Sequence, residues 1–385
     1  MKKILLVDDD ALVLELYRKK LAAGGFEVRT AVDGLDAIKQ LGSYTPDLAV
    51  LDLMMPKLSG IDVIKFMRSK PALAKLPVAV LTNAFMSDQA RTVNSLGVSQ
   101  AIVKGDCSPA KMLEIANQIL GGATADASAA TAGPTDSSLV KDEARENFLK
   151  NAEAEFTDLR TVSAEFAQDP AAAGRTGNLA ELCRHVHHLA GAAASARCHH
   201  VALLSGALEA LLFELIEKPQ FINPSTAHTV SGAVDFLGML VENARAGRRM
   251  EALTAEVLVV DDDPLANRIA LAALSRARLN ARSVENPLTA LELMGKEKFD
   301  LVLLDVEMPH MSGFDLCRNL RQLSGYELTP VIYVTSHGDF ESRAKSILVG
   351  ANDLIAKPIF PIELAVKAVA HLIRSKLLAS ASATV

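Results

Sequence analysis

Short apolar runs and amphipathic runs alternate along the first 120 residues of the chain. KILLV, FEVRT, LAVL, VAVLT and AIVK have the length and branching of strands and are bounded by turn residues. Between them lie helical patterns such as LVLELYRKKLAA, which stops at Gly24-Gly25. From about Leu139 to Ala246 the strand signals vanish, and helices are predicted near 140–168, 178–196, 199–217 and 225–246. Asp169-Pro170 and Lys218-Pro219 break them, and Asn223-Pro224 is an N-cap followed by proline at the first helical position. Near Glu256 the alternation resumes with EVLVV, NARSV, LVLLD, VIYVT and DLIAK. The pattern predicts two open α/β folds, each a parallel sheet wound on both faces by helices, flanking an all-α four-helix bundle.

The domains follow from these changes. The first α/β domain spans 1–120, and 121–138, GGATADASAATAGPTDSS, is a flexible small-residue linker. The bundle takes 139–247 and a short linker 248–255. The second α/β domain spans 256–378, and 379–385 form a tail.

The two α/β segments are an internal repeat. Asp9, Asp52, Thr82 and Lys104 correspond to Asp262, Asp305, Thr335 and Lys357, each at an offset of 253 residues. All of them end apolar strands, as do Asp8 and its match Asp261. Ligands of open parallel sheets bind at the carboxyl ends of strands, so each set converges on one mouth. Three carboxylates there repel unless a cation joins them, and an oxygen-only site with partial hydration suits one Mg²⁺ per domain. That ion also neutralises an incoming phosphoryl group, which Asp52 or Asp305 can attack as a carboxylate nucleophile. Thr82 and Lys104, or Thr335 and Lys357, can hold its oxygens.

Composition narrows the classes. The net charge is -6 and aromatic residues are 4% with no Trp, which argues against nucleic acid as a partner. Four scattered cysteines, Cys107, Cys183, Cys198 and Cys317, make no CxxC pair and fit a reducing cytoplasm. MKKILLVDDD is too short an apolar run for a signal peptide, and no stretch is expected to span a bilayer, so no membrane partner is expected.

VDDD, LDLMMPKLSG, LTNA and VKGD in the first copy, and VDDD, LDVEMPHMSG, VTSH and AKP in the second, resemble the receiver domains of bacterial two-component systems. The resemblance implies a flavodoxin-like (βα)₅ fold and Mg²⁺-dependent phosphorylation of Asp52 and Asp305. It implies that the metal is held by the leading acids Asp8 and Asp9, or Asp261 and Asp262. The phosphorylated aspartate and the main-chain carbonyl of Met54 or Glu307 complete each set. The chain departs from the family at Gly105, where Lys-Pro is usual, and at Ala101 and Leu354, where an aromatic often stands.

CRHVHHLAGAAASARCHH, residues 183–200, holds five of the nine histidines. Leu179, Leu182, Val186, Leu189 and Ala193 form its buried stripe at helical spacing. His188 then lies opposite the core, and His185 and His187 lie on its two flanks. The His187 flank carries Cys183, Ala190, Gly191 and Ala194, small residues that would leave its imidazole exposed to an approaching domain. A solvated face accounts for His185, His188, His199 and His200. A metal shared by Cys183, His187, Cys198 or His199 is an alternative, although the spacing matches no zinc frame. HHLAG followed by an Ala-rich helix end and LEALL resembles the histidine-containing phosphotransfer domain. That resemblance makes His187 the phosphorylated residue, with Ala190 at the family's lysine and Arg197 at a usual glycine.

Together these features predict a multistep phosphorelay protein that exchanges phosphoryl groups between Asp52 or Asp305 and His187. It would be a phosphotransfer protein without a kinase ATPase domain, since no glycine-rich nucleotide loop occurs. A sensor histidine kinase would supply it, with other receiver or phosphotransfer proteins, a downstream effector and a phosphorylation-linked homodimer as further partners. The alternatives are a phosphorylation-controlled switch or scaffold with an inert bundle, a phosphate sink, or the regulatory part of a longer protein such as a nucleotide cyclase.

Overall fold

The computed structural model describes residues 1–55, 58–82, 85, 93, 95–104, 107–121, 136–168, 175–247, 253–336 and 352–382. Most of the 121–138 linker, Asp169-Pro170, Gly105 and the last three tail residues lie outside the described residues.

The first sheet holds β1 (Lys3–Val7), β2 (Glu27–Ala31), β3 (Leu48–Asp52), β4 (Val78–Thr82) and β5 (Gln100–Val103). All its ladders are parallel, in the order β2-β1-β3-β4-β5. Residues Leu48–Asp52 and Val78–Thr82 are buried along their whole length, which is why they read as unbroken apolar runs rather than alternating ones. The flanking helices are α1 (Ala11–Ala23), α2 (Gly34–Leu41), α3 (Gly60–Ser69) and α4 (Pro109–Leu120). Helix α1 ends where the sequence predicts, and Gly25 takes φ +88, a left-handed stop that glycine adopts without a Cβ clash. Ser108 caps α4 through the Lys111 amide, with Pro109 at the first position.

Four helices follow: α5 (Asp136–Gln168), α6 (Arg175–Ser195), α7 (His199–Glu217) and α8 (Pro224–Arg245). A short 3₁₀ turn, Pro219–Phe221, joins α7 to α8. Asn223 caps α8 in a reciprocal capping box with Thr226, as its Asn-Pro signature predicts. The predicted stripe Leu179, Leu182, Val186, Leu189 and Ala193 is buried. Helix α7 is long and apolar enough to cross a membrane by length and composition, which corrects the expectation that no such stretch exists. Most of it is buried inside the protein, where Leu204, Leu208, Leu211, Leu212 and Leu215 are core residues.

The second sheet repeats the first. Its strands are β6 (Glu256–Val260), β7 (Asn280–Val284), β8 (Leu301–Asp305), β9 (Val331–Thr335) and β10 (Asp353–Ala356). They are parallel in the order β10-β9-β8-β6-β7, the same topology. Its helices are α9 (Pro264–Arg276), α10 (Pro287–Met294), α11 (Gly313–Leu320) and α12 (Pro361–Ser382). The predicted flavodoxin-like pair and the helical segment between them are therefore present. By packing, the chain falls into two compact units, 1–150 with 188–198, and 151–187 with 199–385. The second sheet and most of the helical segment thus share one unit.

Candidate functional site

Each sheet order changes direction beside its first strand, and the acids sit there. In the first pocket Asp8 follows β1, Asp52 ends β3, Thr82 ends β4 and Lys104 follows β5. Asp8, Asp52 and Thr82 are all buried. The Lys104 ammonium lies 2.6 Å from Asp52 Oδ2 and 3.0 Å from Asp8 Oδ2. The Asp10 amide donates to Asp8 Oδ1 at 3.0 Å and the Met54 amide to Asp52 Oδ1 at 3.1 Å. Burial pushes the Asp8 carboxyl up to about 7, helped by the charge of Asp52 and opposed by Lys104. Burial pulls Lys104 down, but Asp52 and Asp8 outweigh it and raise the ammonium well above its ordinary value.

The second pocket repeats the constellation. Lys357 Nζ lies 3.0 Å from Asp261 Oδ2 and 3.2 Å from Asp305 Oδ2. Asp261, Asp305 and Thr335 are buried. The Asp263 amide donates to Asp261 Oδ1 at 2.9 Å. Burial and then the Asp261 charge push the Asp305 carboxyl up to about 6.

The donor chemistry fits a hard cation. Asp8, Asp9 and Asp52 offer carboxylate oxygens within 4.8 Å of one another, and so do Asp261, Asp262 and Asp305. Three carboxylates of this charge suit Mg²⁺. The loop after Asp52, and the one after Asp305, folds tightly back against that residue. A Cβ on Gly60 would stand 2.2 Å from the Asp52 carbonyl oxygen, and one on Gly313 2.1 Å from that of Asp305. These glycines, with their Ser59 and Ser312 caps, sit at the same 253-residue offset and explain the LSG and MSG motifs.

His187 differs from its expected setting. It is 7% exposed rather than standing out from the helix, and Glu209 of α7 places Oε1 2.6 Å from its Nδ1. A carboxylate there favours the tautomer with the proton on Nδ1 and the lone pair on Nε2. Glu209 was not singled out from sequence. The signal is present, since Glu209, the first of two acids inside LLSGALEALLFELI, is placed among core leucines, and a buried carboxylate needs a partner. His185 is half-buried and His199 exposed, but His200 is buried. Burial pushes His200 down to about 4, so the solvated-face assignment fails for it. Cys183, Cys198 and His199 do not join His187 in a metal-ligand cluster among the described residues, and all four cysteines are buried.

Sequence comparison finds the family described as "Response regulator receiver domain" in residues 4–117 and again in 257–369. The chain is 35% identical over 104 residues to the response regulator protein PilR of Pseudomonas aeruginosa, covering 27% of this chain and 23% of that protein. It is 43% identical over 81 residues to the alkaline phosphatase synthesis transcriptional regulatory protein PhoP of Bacillus subtilis, covering 21% of this chain and 33% of that protein. The chain therefore spans only about a quarter to a third of the length of these curated relatives. Among solved structures, the chemotaxis response regulator CheY4 of Vibrio cholerae matches 31% of this chain and 99% of its own, at 29% identity and a TM-score of 0.30.

Proposed function

The chain belongs to the response regulator receiver family and carries that domain twice; on that premise we propose that it is a phosphorelay protein whose receivers exchange phosphoryl groups with His187. Receiver domains are phosphoacceptors in signalling and take their phosphoryl groups from histidine kinases in general. Asp52 and Asp305 are the acceptors in this proposal. A carboxylate oxygen forms a new P–O bond while the donor's bond to phosphorus breaks and its electron pair leaves with the donor. Lys104 or Lys357 and the hydroxyl of Thr82 or Thr335 hold the transferred oxygens. Asp8, Asp9, Asp52 and the Met54 carbonyl, or Asp261, Asp262, Asp305 and the Glu307 carbonyl, would hold Mg²⁺. The ion supplies neutralisation of the phosphoryl charge.

In the second step the Nε2 lone pair of His187 forms a P–N bond, the aspartyl P–O bond breaks, and the carboxylate is restored. Glu209 keeps the proton on Nδ1 and balances the charge that the ring acquires. The His187–Glu209 pair at 2.6 Å is the observation that supports a relay over two independent switches, because a positioned imidazole is what the transfer requires.

The test is chemical. The protein is phosphorylated with a small phosphodonor and Mg²⁺, and the label is located by acid and base stability in wild type, Asp52→Ala, Asp305→Ala, His187→Ala and Glu209→Ala. Acid-labile, base-stable label that vanishes with His187 and falls about tenfold or more with Glu209→Ala supports the relay. Label confined to the aspartates, even with a cognate kinase or receiver added, favours a switch with an inert bundle.

A further inference from the structure

Residues 362–369 of α12 are buried without a gap, charged ones included. A helix that is covered all round has a partner on every face. One side lies on its own sheet, and α7, α8 and α9 pack on the rest. At the matched places in α4 the chain shows Ala110, Glu114 and Gln118, all exposed. In α12 they are Glu363, Lys367 and His371, all buried.

These three residues join the sheet to the bundle. Ser225 and Thr229, in the first turns of α8, donate hydroxyls to Glu363 Oε1 at 2.7 Å and 3.0 Å. Lys367 Nζ lies 3.7 Å from Glu363 Oε1 and donates to Asp353 Oδ1 at 2.8 Å and to the Leu354 carbonyl at 2.7 Å. His371 Nε2 lies 3.0 Å from Asp353 Oδ2. At the start of the helix Phe360 stacks on Phe221, with ring centroids 4.4 Å apart and planes within 1°. Near its far end the Arg374 guanidinium lies over the Phe236 ring, 4.8 Å from the centroid.

The segment that carries the pocket lysine is held between these contacts. Asp353 opens β10 and Ala356 closes it. Lys357 follows, its amide donating to the Thr335 carbonyl at 2.7 Å and its ammonium lying between Asp261 and Asp305. Three residues later comes Phe360. Any change in where Lys357 points therefore strains a segment tied at one end to α12 and at the other, through Phe360, to the bundle. A phosphoryl group on Asp305 is such a change, since it offers Lys357 new and more negative oxygens.

We propose that the bundle is the partner, within the chain, that receives the state of the second receiver: phosphorylation of Asp305 moves the Lys357–Phe360 segment and alters α7 and α8 through the Phe360–Phe221 stack and the Glu363 network. The inference rests on Asp305 being a phosphoacceptor but needs no transfer to His187. It gives the second receiver a regulatory role over the bundle.

The test is amide hydrogen exchange on the full chain carrying Asp52→Ala, so that only Asp305 responds, with and without beryllium fluoride and Mg²⁺ as the phosphoryl mimic. Exchange in residues 219–237 is expected to change by about threefold or more. The same change is expected in the His187→Ala chain. It is expected to shrink in Phe221→Leu, which keeps apolar volume and removes the stack, and in Glu363→Gln. Protection confined to the Asp305 pocket, with the bundle unchanged, overturns the coupling and leaves the phosphoacceptor role standing. A pocket that shows no response to the mimic overturns both.

Discussion

The two receivers agree where phosphoryl chemistry is expected and disagree where a neighbour is met. Aspartates, threonine, lysine, the tight glycine and its serine cap recur at one constant offset. The segment after the lysine does not. In the first receiver the Tyr17 hydroxyl donates to the Cys107 carbonyl at 2.7 Å, an internal tie from α1 to the loop leaving Lys104. The matched residues of the second receiver are Ala270 and Phe360, and Phe360 turns to Phe221 instead. The pocket is kept the same in both copies, while each copy's last helix and its lead-in are shaped by what lies against them.

The largest effects test the shared part. Asp52→Asn and Asp305→Asn should each abolish Mg²⁺-dependent label at one site and leave the other receiver's label in place. Retention of both labels in either variant would mean that phosphate enters elsewhere and that the matched pockets are not functionally matched.

Next comes the helix contrast. Lys367 is 5% exposed and bound to Asp353, whereas the Glu114 side chain is 53% exposed. Lys367→Met leaves the half-buried Asp353 carboxylate with His371 alone and should cost about 1.5–3 kcal/mol in denaturant unfolding. Glu114→Met should stay within about 0.5 kcal/mol. Equal costs would show that α12 is no more embedded than α4.

Much of this was legible beforehand, and the limits have physical causes. Strand ends, the repeat offset and the Asn223 cap are local or periodic signals, and the structure follows them. The His187 environment was missed because Glu209 lies 22 residues away on another helix, and sequence spacing along α6 cannot show a neighbour from α7. His200 departs from the solvated-face expectation because it lies on α7, beyond the turn at Arg197 where φ is 56, and its burial is set by the packing of that helix. The α12 network lay in plain sight as IELAVKAVAHLI. Its charges at four-residue spacing resemble an ordinary solvated stripe until Ser225 and Thr229 are found against Glu363.

A smaller effect concerns pH. Burial raises the Asp353 carboxyl, but His371 and Lys367 outweigh that and hold it well below the usual carboxylate range. A depressed folded value contributes stability that is present above the unfolded value of about 3.9 and lost as pH falls through the folded value. The first receiver has Gln100 at the matched place and no such contribution. The unfolding free-energy difference between wild type and Asp353→Asn should therefore shrink as pH drops from about 5 to about 2. A difference that stays constant over that range would assign the network a packing role alone.

The smallest effect isolates the internal tie. Tyr17→Phe keeps the ring in the core, where Tyr17 is 5% exposed, and removes only the hydroxyl donated to Cys107. Losing one such bond should cost about 1 kcal/mol, seen as unfolding of the first receiver, with the second unchanged. Cys107→Ala should not reproduce that loss through the bond, because its acceptor is the main-chain carbonyl, which every residue retains. The Cys107 amide also donates to the Lys104 carbonyl at 3.2 Å, so the hydroxyl braces the short segment that begins with the pocket lysine. If that brace matters to chemistry, Tyr17→Phe slows labelling of Asp52 and has no further effect once Lys104 has been replaced, since the two changes then act through one group. Effects that simply add would leave Tyr17 a core residue, and the two receivers would then differ only at the helix that one of them shares with the bundle.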